Sequence, residues 1–207
     1  YAAAVVNCTS ALHIALLLSK VEKDTEVITQ SLNFIAGCNA ISYCNAKPIF
    51  IDINLQSLSL CPDSLDNFFQ EYCEIRDDGT CWNKLSNRRV SACLPMNTYG
   101  FPCNSLRLNE ICKKYKVPLV EDSAESLGSF TSNKHTGAHS TLSTLSFNGN
   151  KVITTGGGGM ILTESEDMYK KAKHITTTSK LKHDWHFIHD QIGYNYRMPN
   201  LNAALGL

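Results

Sequence analysis

An α/β fold with a mainly parallel sheet is what this chain predicts, on three observations. Short apolar segments of strand length alternate with longer segments of helical periodicity along the 207 residues. Strand-like segments such as residues 90–96 are dominated by apolar residues, the pattern of a buried strand. Hydrophobic residues make up 43% and charged residues 18%, enough to build the core of one good-sized domain.

The elements follow in order. Val5 and Val6 lead into a helix whose Leu12, Ala15, Leu16 and Ser19 recur at helical spacing, with Thr9 expected as N-cap and Ser10 in the first turn. Glu26–Gln30 reads as a strand, residues 33–44 as a helix carrying Phe34, Ile35, Ala40 and Ile41, and residues 47–53 as the next strand. Pro62–Tyr72 opens with Pro and Asp and continues with apolar spacing, so it predicts a helix. Residues 73–89 are polar and predict an exposed excursion, a small hairpin. Then come a strand over 90–96, an amphipathic helix over 104–115, and a strand over 117–122 that finishes on Glu121 and Asp122. Strands over 142–147 and 160–163 and a Lys-rich helix over 165–176 complete the alternation.

Several functions are disfavoured. The formal net charge is zero, so no bulk field draws the chain to nucleic acid or an anionic membrane. No apolar run is long enough to span a bilayer. Nine cysteines contain no Cys-x-x-Cys pair, and many lie in apolar periodic segments. Buried free thiols in a reducing, cytoplasmic setting are expected. The chain opens on Tyr1 and closes on an apolar helical pattern over 200–207 with no stop signal, so an internal piece of a longer protein is expected.

Three features converge chemically. Lys151 stands between a strand and the run Gly156 to Gly159, with Asn148, Gly149 and Asn150 breaking the strand before it. A lysine held there can be stripped of water, which favours the free amine needed to capture an aldehyde. Asp122 ends another strand, and the Thr9-Ser10 helix entrance offers hydroxyls and free N–H groups to a phosphate. In α/β sheets such groups collect at the carboxyl ends of strands. A ligand with a phosphate, a ring nitrogen and an aldehyde would use all three, and pyridoxal 5'-phosphate has those handles.

Seven stretches then carry a resemblance. They are Thr9-Ser10-Ala11-Leu12-His13, Asn33-Phe34-Ile35-Ala36, Ala46-Lys47-Pro48-Ile49-Phe50-Ile51-Asp52, Glu121-Asp122-Ser123-Ala124-Glu125, Ser146-Phe147-Asn148-Gly149-Asn150-Lys151, Thr155-Gly156-Gly157-Gly158-Gly159-Met160 and Gly193-Tyr194-Asn195-Tyr196-Arg197-Met198-Pro199-Asn200. In this order they resemble the DegT/DnrJ/EryC1/StrS sugar aminotransferases, closest to the branch making 4-amino-4,6-dideoxy sugars, including the legionaminic acid pathway. The resemblance implies a fold type I pyridoxal-phosphate large domain over residues 1–207, a mixed sheet flanked by helices, without the family's N-terminal segment and C-terminal small domain.

It also implies roles. Lys151 would carry the cofactor covalently and shuttle a proton, and Asp122 would pair with the pyridinium nitrogen. Phe34 would stack on the ring. Thr9, Ser10 and Ser146 would hold the phosphate. Asn195 would reach the phosphate in a neighbouring subunit, since these enzymes are homodimers with shared sites. Tyr194 and Arg197 would lie near the nucleotide-linked keto sugar, with glutamate as the amino donor. Glu125 stands where many relatives have Gln or His against the ring oxygen, so a carboxylate there needs a proton or a neighbouring donor.

Other readings compete. A sugar dehydratase of the same family would have His in place of Lys151. A nucleotide-binding glycine loop would open a helix, whereas a strand follows Gly159. His183, His186 and His189 have a spacing that could share one helix side and hold a metal, but no carboxylate set accompanies them, and an interface or substrate loop is expected. A truncated relative that only dimerises is the non-catalytic alternative.

Overall fold

The computed structural model describes residues 1–207. Eleven strands and six α-helices follow one another as β1 (Ala2–Val5), α1 (Cys8–Leu18), β2 (Glu26–Gln30), α2 (Ile35–Tyr43), β3 (Lys47–Ile51), α3 (Pro62–Tyr72), β4 (Cys73–Ile75), β5 (Cys81–Asn83), β6 (Arg88–Leu94), α4 (Ser105–Lys114), β7 (Val120–Asp122), β8 (Phe130–Thr131), β9 (Lys134–His135), β10 (Leu142–Ser146), β11 (Gly159–Leu162), α5 (Glu166–Thr176) and α6 (Asn200–Leu205).

The main sheet has two halves joined at β6 and β7. One half runs β1-β11-β10-β7, the other β3-β2-β6, with the β4–β5 hairpin on the start of β6. Parallel bridges Cys93↔Leu119 and Met96↔Asp122 join β6 to the β7 segment. Within this sheet β11 alone runs against its two neighbours. The mainly parallel α/β fold expected from the sequence is therefore present.

Alternation along the strands sorts the side chains into two cores. Val27, Ala92, Val120, Leu142 and Ile161 pack with α1, α2 and α5 on one face. Ile28, Cys93 and Leu119 pack with α3 and α4 on the other. Phe69 stacks on Tyr115 at 4.4 Å and ties α3 to the end of α4. All nine cysteines are free, seven of them buried.

Two expectations change. The N-cap of α1 is Asn7, not Thr9: Asn7 is extended (φ −165°, ψ 168°) and its side chain accepts from Ser10 N at 2.8 Å. An Asn one residue ahead of the apolar run can cap as well as Thr, and taking the cap there lengthens the helix. The second concerns only the alternative weighed for His183, His186 and His189: they do not share a helix side, and the segment is the loop that was expected. Lys180 bridges His189, Leu181 N donates to Ile188 O, and Nδ1 of His183 accepts from Trp185 N and His186 N. No group of three His, Cys, Asp or Glu side chains is placed to hold a metal. No helix is long and apolar enough to cross a membrane.

Candidate active site

A cavity of about 270 Å³ opens at the carboxyl ends of β7 and β10, against the start of α1. Thr9, Phe34, Asp122, Glu125, Ser146 and Lys151 all line it. Register explains the gathering. Thr144 pairs with Asp122, so Asp122, Thr144 and Ser146 project from the α1 face of the sheet.

The entrance of α1 is seated by a glycine. Val5 and Ser146 both pair with Gly159 of β11. A Cβ on Gly159 would lie 2.6 Å from the Asn7 carbonyl carbon and 2.7 Å from Cys8 N, so only glycine lets the helix start so close to the sheet. The cap uses the N–H of Ser10. The preceding N–H groups, of Cys8 and Thr9, belong to the orphan set at a helix start, beside the Thr9 side chain. Ser10 itself is buried and does not reach the cavity wall, being turned a helical step away from Thr9.

Asp122 is 4% exposed. Its Oδ1 accepts from Ala124 N at 3.1 Å, and its other oxygen takes no hydrogen bond from the chain. Burial pushes its carboxyl up to about 6, opposed by the Ala124 hydrogen bond and by Lys151. Cys8 packs beside it, its thiol 3.5 Å from Thr144 Oγ1 and pushed well up by burial.

Lys151 follows a turn closed by Lys151 N on Asn148 O at 3.0 Å. Its Nζ donates to Glu125 Oε1 at 3.1 Å and lies 5.9 Å from the centre of the Phe34 ring. The partner of the amine is thus a carboxylate, where the sequence reading expected a dry surround. Glu125 Oε2 accepts from Tyr99 N at 3.0 Å, so Glu125 has two donors. Phe34 caps α2, is 64% exposed, and stands at the rim as a flat apolar wall. The glycine run returns the chain from Lys151 to β11, with positive φ at Gly156 (75°) and Gly158 (155°).

Besides Ser10, three sequence-selected residues lie elsewhere. Tyr194 packs edge-on to His13 at 4.9 Å and stacks on Tyr196 at 5.1 Å. Arg197 bridges Val5 through its backbone, and Asn195 bridges Thr177. None of the three lines the cavity. Sequence reasoning passed over Asn7, Cys8, Asn148 and Asn150, which do line it. Their position beside the helix entrance and the lysine turn was the available signal.

The donor set fits a phosphate-bearing aldehyde with a basic ring nitrogen: one amine, one buried acid with a free oxygen, one hydroxyl at a helix start and one at a strand end. The fold is that of fold type I pyridoxal-phosphate proteins. The chain belongs to the DegT/DnrJ/EryC1/StrS aminotransferase family, whose sequence model matches residues 1–207. Pyridoxal phosphate is the cofactor of that family.

Among curated relatives, the chain is 36% identical over 207 residues to GDP-perosamine synthase of Escherichia coli O157:H7, covering all of this chain and 52% of that protein. It is 32% identical to GDP-perosamine synthase of Caulobacter vibrioides, covering 51% of it. Among solved structures it matches Helicobacter pylori PseC, described as an aminotransferase of pseudoaminic acid biosynthesis. That match has a TM-score of 0.85 and 25% identity, over all of this chain and 52% of that one. The chain spans about half the length of these relatives.

Proposed function

We propose that this chain is the cofactor-binding large domain of an aminotransferase that moves an amino group from glutamate onto a nucleotide-linked 4-keto-6-deoxy sugar. The observation that carries the proposal is the meeting of Lys151, Asp122, Thr9 and Ser146 around one cavity. The sugar substrate draws support from the relatives named as GDP-perosamine synthases.

When bound, pyridoxal phosphate supplies an electron sink for the carbanion formed at the amino-bearing carbon. The chain's residues do the rest. The free oxygen of Asp122 would hold a proton on the ring nitrogen of the bound cofactor. Thr9 and Ser146, with the N–H groups at the start of α1, hold the phosphate. Phe34, an exposed ring at the cavity rim, would cover the ring of a bound cofactor. Lys151 would hold the cofactor through Nζ, and its amine would serve as the base that moves a proton. Glu125 holds that amine when it is free. A dehydratase reading is disfavoured because Lys151 is present.

The quaternary part of the proposal is a homodimer with shared sites. Trp185, Phe187 and Ile192 are each more than 80% exposed, an apolar surface that suits a partner. Asn195, exposed and outside the cavity, suits a phosphate contact in the neighbouring subunit, with Tyr194 and Arg197 toward the sugar nucleotide. The free cysteines suit a reducing cytoplasm.

The test is a visible absorption spectrum of the full-length protein with pyridoxal phosphate, before and after borohydride. Wild type shows the absorbance of lysine-bound cofactor and is trapped covalently at Lys151. Lys151→Ala loses both, and its transamination falls at least about 10³-fold. A mutant spectrum identical to wild type removes the proposal. Turnover with candidate keto sugars separates an active enzyme from a relative that only dimerises.

A further inference from the structure

At the amino ends of the parallel strands, away from the cavity of Lys151, a second cavity of about 310 Å³ opens between the end of α1, the end of α4 and the start of β6. Three cations line it, Lys20, Arg89 and Lys116, and no aspartate or glutamate does. Leu18, Val90 and Met168 give it an apolar side wall.

The fold brings the cations there. Helices α1 and α4 stop in the same way. Lys20 N donates to Leu17 O at 2.9 Å and Val21 N to Leu16 O at 3.0 Å. Lys116 N donates to Lys113 O at 3.1 Å and Val117 N to Cys112 O at 2.9 Å. Both lysines therefore take the left-handed position past a helix end, at φ 61° and 57°, where glycine or asparagine is the ordinary choice. Helix α2 ends with the same pair of bonds and has Asn45 there. Neither lysine is in an ion pair. Arg89 donates to Lys20 O and to Glu22, both at 2.8 Å, which fastens the Lys20 turn to β6. The Lys116 amine stands against the tip of the β4–β5 hairpin, 3.3 Å from where a Cβ on Gly79 would lie. A lysine at a helix end also complements the helix dipole. That accounts for each lysine singly, but not for three cations around one unused donor.

The donor is Ser91. Glu26 pairs with Val90 and Val27 with Ala92, so β6 bulges and Ser91 is the residue left over. Alternation shifts phase at this point: Val90 and Cys93, three residues apart, pack in the same core. Ser91 is 5% exposed and lines the cavity, and its Oγ has no partner. A hydroxyl carries its own proton, so what it lacks is an acceptor.

We propose that this second cavity is a binding site for the phosphate group of a small molecule. Lys20, Lys116 and Arg89 balance a charge approaching −2, and Ser91 donates to one phosphate oxygen. The apolar wall takes the organic body of a phosphate monoester, and the volume is that of a small-molecule site. The site stands independently of the function proposed above.

The test is equilibrium dialysis of the full-length protein at low ionic strength, with inorganic phosphate and phenyl phosphate as probes. The double variant Lys20→Asn, Lys116→Asn keeps residues that accept the left-handed backbone, and a thermal melt confirms its fold. It is expected to lose one phosphate site, with affinity there falling about tenfold or more. Ser91→Ala, which leaves every charge in place, should weaken the same site about fivefold. Phosphate taken up at the cavity of Lys151 is untouched by these substitutions and is subtracted. Tighter binding of phenyl phosphate assigns a monoester, and equal binding assigns the free ion; each supports the site. Identical phosphate binding in wild type and the double variant overturns the proposal. So does Ser91→Ala binding as wild type does, since loose attraction to surface charge would then suffice.

Discussion

Asp122 and Glu121 are neighbours on one three-residue strand, 4% and 0% exposed, yet the two faces of the sheet treat them differently. On the back face the chain supplies Glu121 with three donors, all to one oxygen. On the front face it supplies Asp122 with one N–H and leaves an oxygen toward a cavity. Burial raises both carboxyls, but only the front one lacks a network to absorb the cost. The contrast separates an acid tied into the architecture by three donors from one that takes a single donor and lines a cavity.

The contrast is sharpest for Asp122→Asn. A carboxyl near 6 when folded and about 3.9 when unfolded binds more protons in the folded state between those values, so stability falls as pH rises across that window. Above it the cost of a buried charge persists. Asp122→Asn is therefore expected to stabilise the cofactor-free protein by about 2–3 kcal/mol at neutral pH, with the gain vanishing below about pH 4. The same substitution should lower transamination roughly 100-fold, because the ring proton loses its anion. Denaturant melts across pH check the first outcome. A mutant less stable than wild type at neutral pH would show that the front face, like the back, is satisfied from within.

Gly159→Ala probes the front face through packing. The added methyl meets Asn7 backbone at 2.6 Å, so α1 and β11 must part, at a cost of about 1–3 kcal/mol. Cofactor affinity should fall with it, since the helix start moves from Ser146. An unchanged melting temperature and affinity would mean that the helix entrance is not what the glycine seats. The smallest effect is expected from Asn7→Ala, which removes the cap on Ser10 N and lowers stability by about 1 kcal/mol. Thr9→Ala should leave stability nearly untouched and weaken phosphate binding instead. The reverse pattern in thermal melts would return the cap to Thr9.

Much of this was legible in the chain. Helix α3 and strand β2 have the bounds expected from Pro62 and from the Glu26–Gln30 run, because a proline start and a β-branched run are local signals. Lys151, Asp122 and Thr9 of the cavity set were readable because strand ends and helix starts announce themselves, whereas Phe34, Glu125 and Ser146 were implied only by the family resemblance. Asn7 was missed because two capping residues lie close together and only backbone geometry chooses between them. Ser10 was over-read because a hydroxyl's direction depends on helical phase, which shifts with the cap.

Local order therefore dictated which segments became strands and helices, and which polar side chains stood at their ends; propensity and periodicity act over a few residues and need no distant partner. The pairing of Glu121 with Ser143, the seat of α1 on Gly159 and the capture of Lys151 by Glu125 were settled only when strands far apart in the chain came into register. Those choices depend on which face a side chain takes and what lies across from it, and long-range packing alone decides both.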